Sequence, residues 1–323
     1  MRSSSRLSIR LLIAALAIAV APAALAQEWP AKPVRVIVNF APGGTLDLIT
    51  RPLGAKLSEA LGQPFVVENR AGANGAIGLE AVARSAPDGY TLLSSAGSPL
   101  VINPHLYKLP VDPARDIVPV APTARVSVFL VVRPALEVRS VAELVAHARA
   151  NPGKLNFGSP GNGSTPHIAG EMLLRAAQIR ATHVPYKGAG PALTDLLGGQ
   201  LDFMFDPGPA VPHVRTDKLR LLAIATGARL SAFPEAPTMA EAGFAIDVDT
   251  IFGIHAPAGT PRDIVRRLNG EIGRAMQTPE LRNALASIAA EIMLATPEEF
   301  AARLQSDRER FGAVVREANI RVE

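Results

Sequence analysis

Two loops of this chain carry the residues suited to holding a small anion, and they do so with glycines and hydroxyls rather than charged side chains. One reads Phe40-Ala41-Pro42-Gly43-Gly44-Thr45-Leu46-Asp47; the other reads Phe157-Gly158-Ser159-Pro160-Gly161-Asn162-Gly163-Ser164-Thr165-Pro166-His167. In each, a strand-like run ends in a Gly/Pro turn and opens into a helical pattern. The first N–H groups of such a helix have no internal acceptor, and the dipole favours negative charge there. Glycine lets the backbone approach a ligand closely, and Ser or Thr adds a short hydroxyl donor. Two such turns facing across a cleft suit a small carboxylate held without a buried lysine or arginine.

The candidate contacts are Ala41, Pro42, Gly43, Gly44, Thr45 and Asp47 in the first loop, and Ser159, Gly161, Gly163, Ser164, Thr165 and His167 in the second. Asp47 also suits a first-turn position for its charge alone, and His167 also suits a structural hydrogen bond. Ser95 and Ser98, after the strand-like run Tyr90–Ser94, are candidates for the cleft wall. Lys187 follows Val184-Pro185-Tyr186 and offers a charge; Asp206 ends Phe203-Met204-Phe205 and is placed to orient a ligand hydroxyl or amine.

Catalytic, metal and cofactor chemistry find little support. The chain has no Cys, which removes disulfides, thiolate metal sites and thiol catalysis. Its six His lack metal-ligand spacing. Phe157 stands where a G-x-S-x-G elbow around Ser159 needs glycine, and Pro166 stands where G-x-G-x-x-G needs it. No catalytic residue, metal or cofactor is assigned.

The amino terminus reads as a cleaved export signal. Arg2, Arg6 and Arg10 precede the apolar run Leu11 to Ala21, and Ala24-Leu25-Ala26 offers a peptidase site after Ala26. The run is about half the ~20 residues of a spanning helix, so no permanent anchor is expected. Loss of three arginines brings the net charge from +4 to +1, which argues against nucleic acid as a partner.

The remainder, within a chain of 323 residues that is 48% hydrophobic and 19% charged, is sized for two domains. Strand-like runs at 34–40, 65–68, 90–94, 126–132, 154–157, 181–186, 201–205, 219–226 and 246–255 alternate with helical patterns such as Leu46, Ile49, Leu53, Leu57 and Leu61. Pro52 predicts a kink in that helix or a later start. Ser140-x-x-Glu143 and Thr296-x-x-Glu299 read as capping boxes, and Thr165-Pro166 reads as an N-cap with Pro in the first turn. Alternation predicts an α/β fold with mostly parallel sheets. The strongly helical last ~75 residues are expected back against the first lobe without further strands. Lobe 1 is then 27–128 plus 249–323, and lobe 2 is 129–248.

Beyond the two loops, an ordered set of short motifs spans most of the chain. It comprises Trp29-Pro30-Ala31-Lys32-Pro33-Val34-Arg35, Val67-Glu68-Asn69-Arg70 with Gly72, Gly75 and Gly78, Pro87-Asp88-Gly89-Tyr90-Thr91, Asn103-Pro104-His105-Leu106-Tyr107, Val184-Pro185-Tyr186-Lys187-Gly188, Pro237-Thr238-Met239-Ala240-Glu241-Ala242-Gly243 and Ala256-Pro257-Ala258-Gly259-Thr260-Pro261. In these the chain resembles the Bug family, the periplasmic substrate-binding receptors of tripartite tricarboxylate transporters. The resemblance implies a two-lobed, type II periplasmic-binding-protein fold with its ligand in the interlobe cleft. It also implies a carboxylate gripped by backbone N–H groups and bridging waters from Ala41 to Thr45 with Asp47, and from Ser159 to His167. Two positions depart from the family pattern: Asn39 stands where Pro is frequent, and Ile251 where Trp is frequent. The second is expected to change pocket volume.

The expected role is capture of a di- or tricarboxylate, acidic amino acid or aromatic acid by a monomeric receptor, which presents it to integral-membrane transporter subunits. The alternatives are a receptor serving a sensor kinase and a small-ester hydrolase.

Overall fold

The computed structural model describes residues 28–317 and 320. The expected leader and its cleavage site lie outside those residues. The first strand, β1 (Val34–Val38), is buried on both faces, which explains its β-branched run. It leads through the first loop into α1 (Thr45–Leu61), whose Leu46, Ile49, Leu53, Leu57 and Leu61 are all buried. The helix includes Pro52 and starts at Thr45, so no later start is needed. β2 (Phe65–Asn69), α2 (Ala76–Ala83) and β3 (Thr91–Ala96) complete the first βαβ units.

A long strand, β4 (Ile117–Ser127), and then β5 (Phe129–Val132) carry the chain from one sheet to the other. The second sheet continues with α3 (Val141–Ala150), β6 (Asn156–Ser159), α4 (Thr165–Ala177), β7 (Thr182–Pro185), α5 (Ala189–Leu197), β8 (Phe203–Asp206) and β9 (Arg220–Ile224). β10 (Asp249–Pro257) returns to the first sheet. It is followed by α6 (Arg262–Met276), α7 (Pro279–Ser287), β11 (Ala290–Ile292) and α8 (Pro297–Glu317).

The sheets have the orders β11-β4-β10-β3-β1-β2 and β7-β6-β8-β5-β9. Pairs inside the βαβ units are parallel, and every antiparallel pair involves β4, β5 or β10, the strands at the crossovers.

Three local expectations change. β4 is interior yet carries Pro119 and Pro122, which hid all but its end from sequence reading. Register shifts in its pairing with β10 fall at Gly253, opposite Pro122, and at His255, opposite Pro119, where a missing donor is tolerated. β11 supplies a strand among the final residues, where none was expected. The cap of α4 is Ser164, whose Oγ accepts the His167 N–H at 3.3 Å, so Thr165 is the first helical residue.

The last helix is tied down where the chain re-enters the first sheet. Asp249 is buried and accepts from Arg125 of β4 at 2.6 Å and from Arg303 and Arg310 of α8 at 3.2 and 3.0 Å. Burial alone would raise its pKa, but Arg310 and Arg125 outweigh it and hold the carboxyl below the ordinary value. Asp249→Ala should cost about 2–3 kcal/mol, at or below the usual cost of breaking a buried pair because the arginines are half-exposed. A urea titration checks this, and an unchanged midpoint would contradict it.

Candidate functional site

The first loop is braced from behind. Asp47 accepts the Gly43 N–H at 3.2 Å, Asn69 Nδ2 at 3.0 Å and Arg51 Nε at 3.0 Å. Burial pushes its carboxyl upward, but Arg51, Asn69 and Gly43 outweigh that and leave it below the ordinary range. Asn69 also donates to Phe40 O at 3.0 Å, so the turn is held at both ends.

The second loop closes on itself. Gly161 N–H donates to Ser159 Oγ at 3.2 Å, Ser164 N–H to Gly161 O at 3.0 Å, and Gly163 N–H to His167 Nδ1 at 3.1 Å. Ser159 Oγ lies 2.7 Å from His183 Nε2, and the His167 and His183 rings stack with centroids 4.1 Å apart. Burial pulls His167 down to about 4; burial, with His167 beside it, pulls His183 to about 3. Both rings are neutral at pH 7, so His167 can accept from the loop.

The two loops border one cavity of about 40 Å³, roughly three water-sized groups in capacity. Gly44, Thr45 and Ser98 face it from one lobe; Pro160, Ser164, Thr165, Ala189 and Pro207 face it from the other; Phe40, Thr250 and Phe252 add to its wall. Among the described residues, no charged side chain lines it. Across the cleft, Ala41 N–H donates to Lys187 O at 2.9 Å, Thr45 Oγ1 to Pro207 O at 2.7 Å and the Tyr107 hydroxyl to Asn162 O at 3.0 Å.

The starts of α1, α4 and α5 thus meet at one place. Among the described residues, the N–H groups of Thr45, Leu46, Thr165, Ala189 and Gly190 have no protein acceptor. The nitrogens of Ala189 and Gly190 stand 3.5 and 3.6 Å from where a Cβ on Gly44 would be.

Of the residues singled out from sequence, Gly44, Thr45, Ser98, Ser164 and Thr165 border the cavity. Ala41, Pro42 and Gly43 shape the first turn. Gly161 and Gly163 spend their N–H groups inside the second loop, and a Cβ on Gly161 would meet Asn74, and one on Gly163 would meet Leu106, Asn103 and Asn74, of the first lobe. Ser159 and His167 stand behind that loop.

Three residues are placed otherwise than expected, and a fourth, Asp47, takes the first-turn role that was its other reading. Ser95 is turned into the sheet, accepting from Asn39 Nδ2 at 2.9 Å and donating to Ala96 O at 2.8 Å. The Lys187 side chain is exposed, and its backbone carbonyl is the part that meets the other lobe. Asp47 is occupied with its own turn. Asp206 accepts the N–H groups of Gly208 and Ala210, both at 2.8 Å, and so fixes the segment carrying Pro207. Burial raises Asp206 to about 7. Ile251 is absent from the cavity wall, because the alternation of β10 presents Thr250 and Phe252 there.

Sequence reading missed Thr250, Phe252, Phe40 and the start of α5. The last had a signal in Gly188-Ala189-Gly190-Pro191, a third Gly/Pro turn into a helix. Thr250 had none, being one residue of a strand whose facing was undetermined.

Among the described residues, no group of three or more His, Asp or Glu is placed to hold a metal ion, and no helix is long and apolar enough to cross a membrane.

Comparison with known proteins identifies the family. A model of the tripartite tricarboxylate transporter family receptor matches residues 49–320. Protein BugT of Bordetella pertussis is 39% identical over 301 residues, covering 92% of each chain. An R. palustris protein solved with adipate superposes with a TM-score of 0.87 at 34% identity, covering 91% of this chain and 99% of that one. MatC from Rhodopseudomonas palustris with bound malate gives 0.85 at 33% identity, covering 89% and 100%. The two-lobed chain therefore belongs to the Bug family of tripartite tricarboxylate transporter receptors.

Proposed function

We propose that this solute-binding receptor works in the periplasm, where it captures a small carboxylate between its lobes and passes it to integral-membrane transporter subunits. One observation carries the reading: the starts of α1, α4 and α5, whose first N–H groups lack a protein acceptor among the described residues, lie together at a cavity without charged walls. Such a site stabilises one anion by aligned backbone dipoles. Relatives solved with adipate and with malate support the ligand class.

In this reading the lobes are 27–128 plus 249–323 and 129–248, and the leader is removed after Ala26. The carboxylate meets Gly44, Thr45, Ser164 and Thr165, with Ala189 and Gly190 from the third helix start. Ala41, Pro42, Gly43, Gly161 and Gly163 shape the turns; Asp47, His167 and Asp206 position them. Contacts to both lobes exist together only when the cleft is shut, so binding favours the closed form. The protein acts without catalysis and as a monomer. Ser159, whose hydroxyl stands against the His183 imidazole, is fully buried and bonded within its own loop.

Calorimetry against a carboxylate panel tests the reading, with saturable one-to-one binding and unchanged ligand expected. Product accumulating in proportion to protein would replace the receptor with an enzyme. Unimpaired uptake in a deletion strain would remove the transporter partner.

A further inference from the structure

We propose that this receptor has a second ligand site inside its first lobe, between α8 and the first sheet, and that it takes an organic acid with an extended apolar body and a single anionic end. The inference concerns a different cavity from the interlobe one and does not depend on the function proposed for that site.

The alternation of β10 separates the two places. Thr250 and Phe252 face the interlobe cavity, whereas Gly253 and His255 face the other way, against Phe300 of α8. On that side a cavity of about 650 Å³ lies between α8 and the short helical turns Ser98–Val101 and Pro113–Asp116. It shares no lining residue with the interlobe cavity. Its volume falls within the ~300–1,000 Å³ of small-molecule sites.

The fold fixes the walls before any ligand arrives. Asp249 ties Arg303 and Arg310 of α8 to the sheet, and His105 Nε2 donates to Arg308 O at 2.8 Å. A Cβ on Gly312 would stand 2.7 Å from the His105 ring, so α8 meets the turn Asn103–Leu106 through a glycine. These ties hold the helix at a set distance from the cavity floor.

The lining gives the ligand its chemistry. Leu100, Val101, Ile117, Pro119 and Leu304 make an apolar interior. His255 also lines it, is 1% exposed, and has neither ring nitrogen in hydrogen-bond geometry with a partner among the described residues. An interior packed only for stability rarely leaves such a group unmet. Burial holds its pKa at about 4 against the opposing carbonyls of Leu93 and Gly253, so the imidazole is neutral at pH 7. A neutral, apolar interior rejects the charged end of a ligand. Charge sits on α8 instead, where Arg308, Arg316 and Glu309 border the cavity. Arg308 is only loosely paired, 3.6 Å from Asp112 Oδ1. Two guanidiniums against one carboxylate suit one anionic group, with the apolar body turned inward.

The test is calorimetry of the mature chain, refolded free of carried-over ligand, with decanoate and with its uncharged counterpart decanol. It is run on the parent and on Gly190→Ala, whose Cβ would stand 2.6 Å from Pro42 O and so opposes closure of the interlobe cleft on any acid. Decanoate should bind Gly190→Ala saturably, one per chain, and at least tenfold tighter than decanol. In that background, Arg308→Gln with Arg316→Gln should weaken decanoate at least tenfold and leave decanol within twofold. The fold should survive, because His105 bonds the Arg308 carbonyl and not its side chain. Ala301→Trp carries a large ring into the cavity from an exposed position of α8 and should lose both ligands, with a melting temperature within a few degrees of its parent. Decanoate that binds the parent but not Gly190→Ala lies in the interlobe cleft and overturns the inference. Undiminished decanoate affinity in the paired arginine variant or in Ala301→Trp overturns it too, as does absence of decanoate binding altogether.

Discussion

Gly190→Ala should lower carboxylate affinity at least a hundredfold, about 2.7 kcal/mol, while the unliganded protein stays folded. A Cβ on Gly190 would stand 2.6 Å from Pro42 O, 3.0 Å from Gly43 C and 3.2 Å from Gly44 N. All three atoms are backbone of the first loop, on the other lobe, so no side-chain rotation relieves the contact. Within its own lobe the change is favourable, because alanine replaces glycine inside α5. The clash exists only when the cleft is shut. The variant should therefore melt within a few degrees of the parent, or above it, and should fail to show the ligand-induced rise in melting temperature. Gly158→Ala provides the contrast: its Cβ would collide with Leu201 Cδ1, inside one lobe, and should lower stability first. Undiminished affinity in Gly190→Ala would mean that the closed arrangement is not the binding form.

A second large effect should appear on mild acidification. His167 and His255 are pulled to about 4 and His183 to about 3, in each case chiefly by burial, from an ordinary value of 6.5. Between pH 6.5 and about 4 the unfolded chain binds protons that the folded chain refuses, so stability falls as pH falls through that window. Asp206 works in the opposite sense. Raised from 3.8 to about 7, it keeps its proton in the folded state over the range where the unfolded state has lost it, and so favours folding as pH falls below 7. Glu171, 3.7 Å from His167 Nε2, is likewise raised by burial and softens the histidine effect.

Each imidazole loses about 1.4 kcal/mol of its contribution for every pH step of one below its ordinary value, and Asp206 returns part of that loss. Three imidazoles against one strongly raised carboxyl leave a net loss on the order of several kcal/mol by pH 4. Ligand affinity should hold through most of that window and fall only as pH approaches about 4, where His167 gains its proton in the folded state. Protonated His167 can no longer accept the Gly163 N–H, and the second loop loses the bond that shapes it. Melting curves from pH 7.5 to 4.5 check the first point, and calorimetry extended down to about pH 4 checks the second. A flat melting temperature between pH 6.5 and 5 would contradict the neutral, buried state of the pair. In Asp206→Asn the decline should be steeper, since the opposing contribution is gone.

Most of the framework was legible from residue order. The β-branched run at Val34–Val38, the helical spacing from Leu46 to Leu61 and the Gly/Pro turns are local signals, and each became the element it announced. The chain changes sheet between β4 and β5 and again between β9 and β10. β4 escaped for a reason equally local: Pro119 and Pro122 argue against an interior strand unless the partner strand can shift register beside them.

The amino-acid order by itself determined which backbone amides would be left unsatisfied, since a helix start and its flanking glycines depend on a handful of neighbouring residues. Only the tertiary structure decided which of those amides share a ligand. It set α5 beside Gly44, turned Asp47 and Ser95 away, and brought Thr250 from a distant strand to the same wall. The physical reason is the range of the forces. Backbone geometry is fixed within a few residues, whereas the facing of a strand and the closing of two lobes depend on packing between segments far apart in the chain.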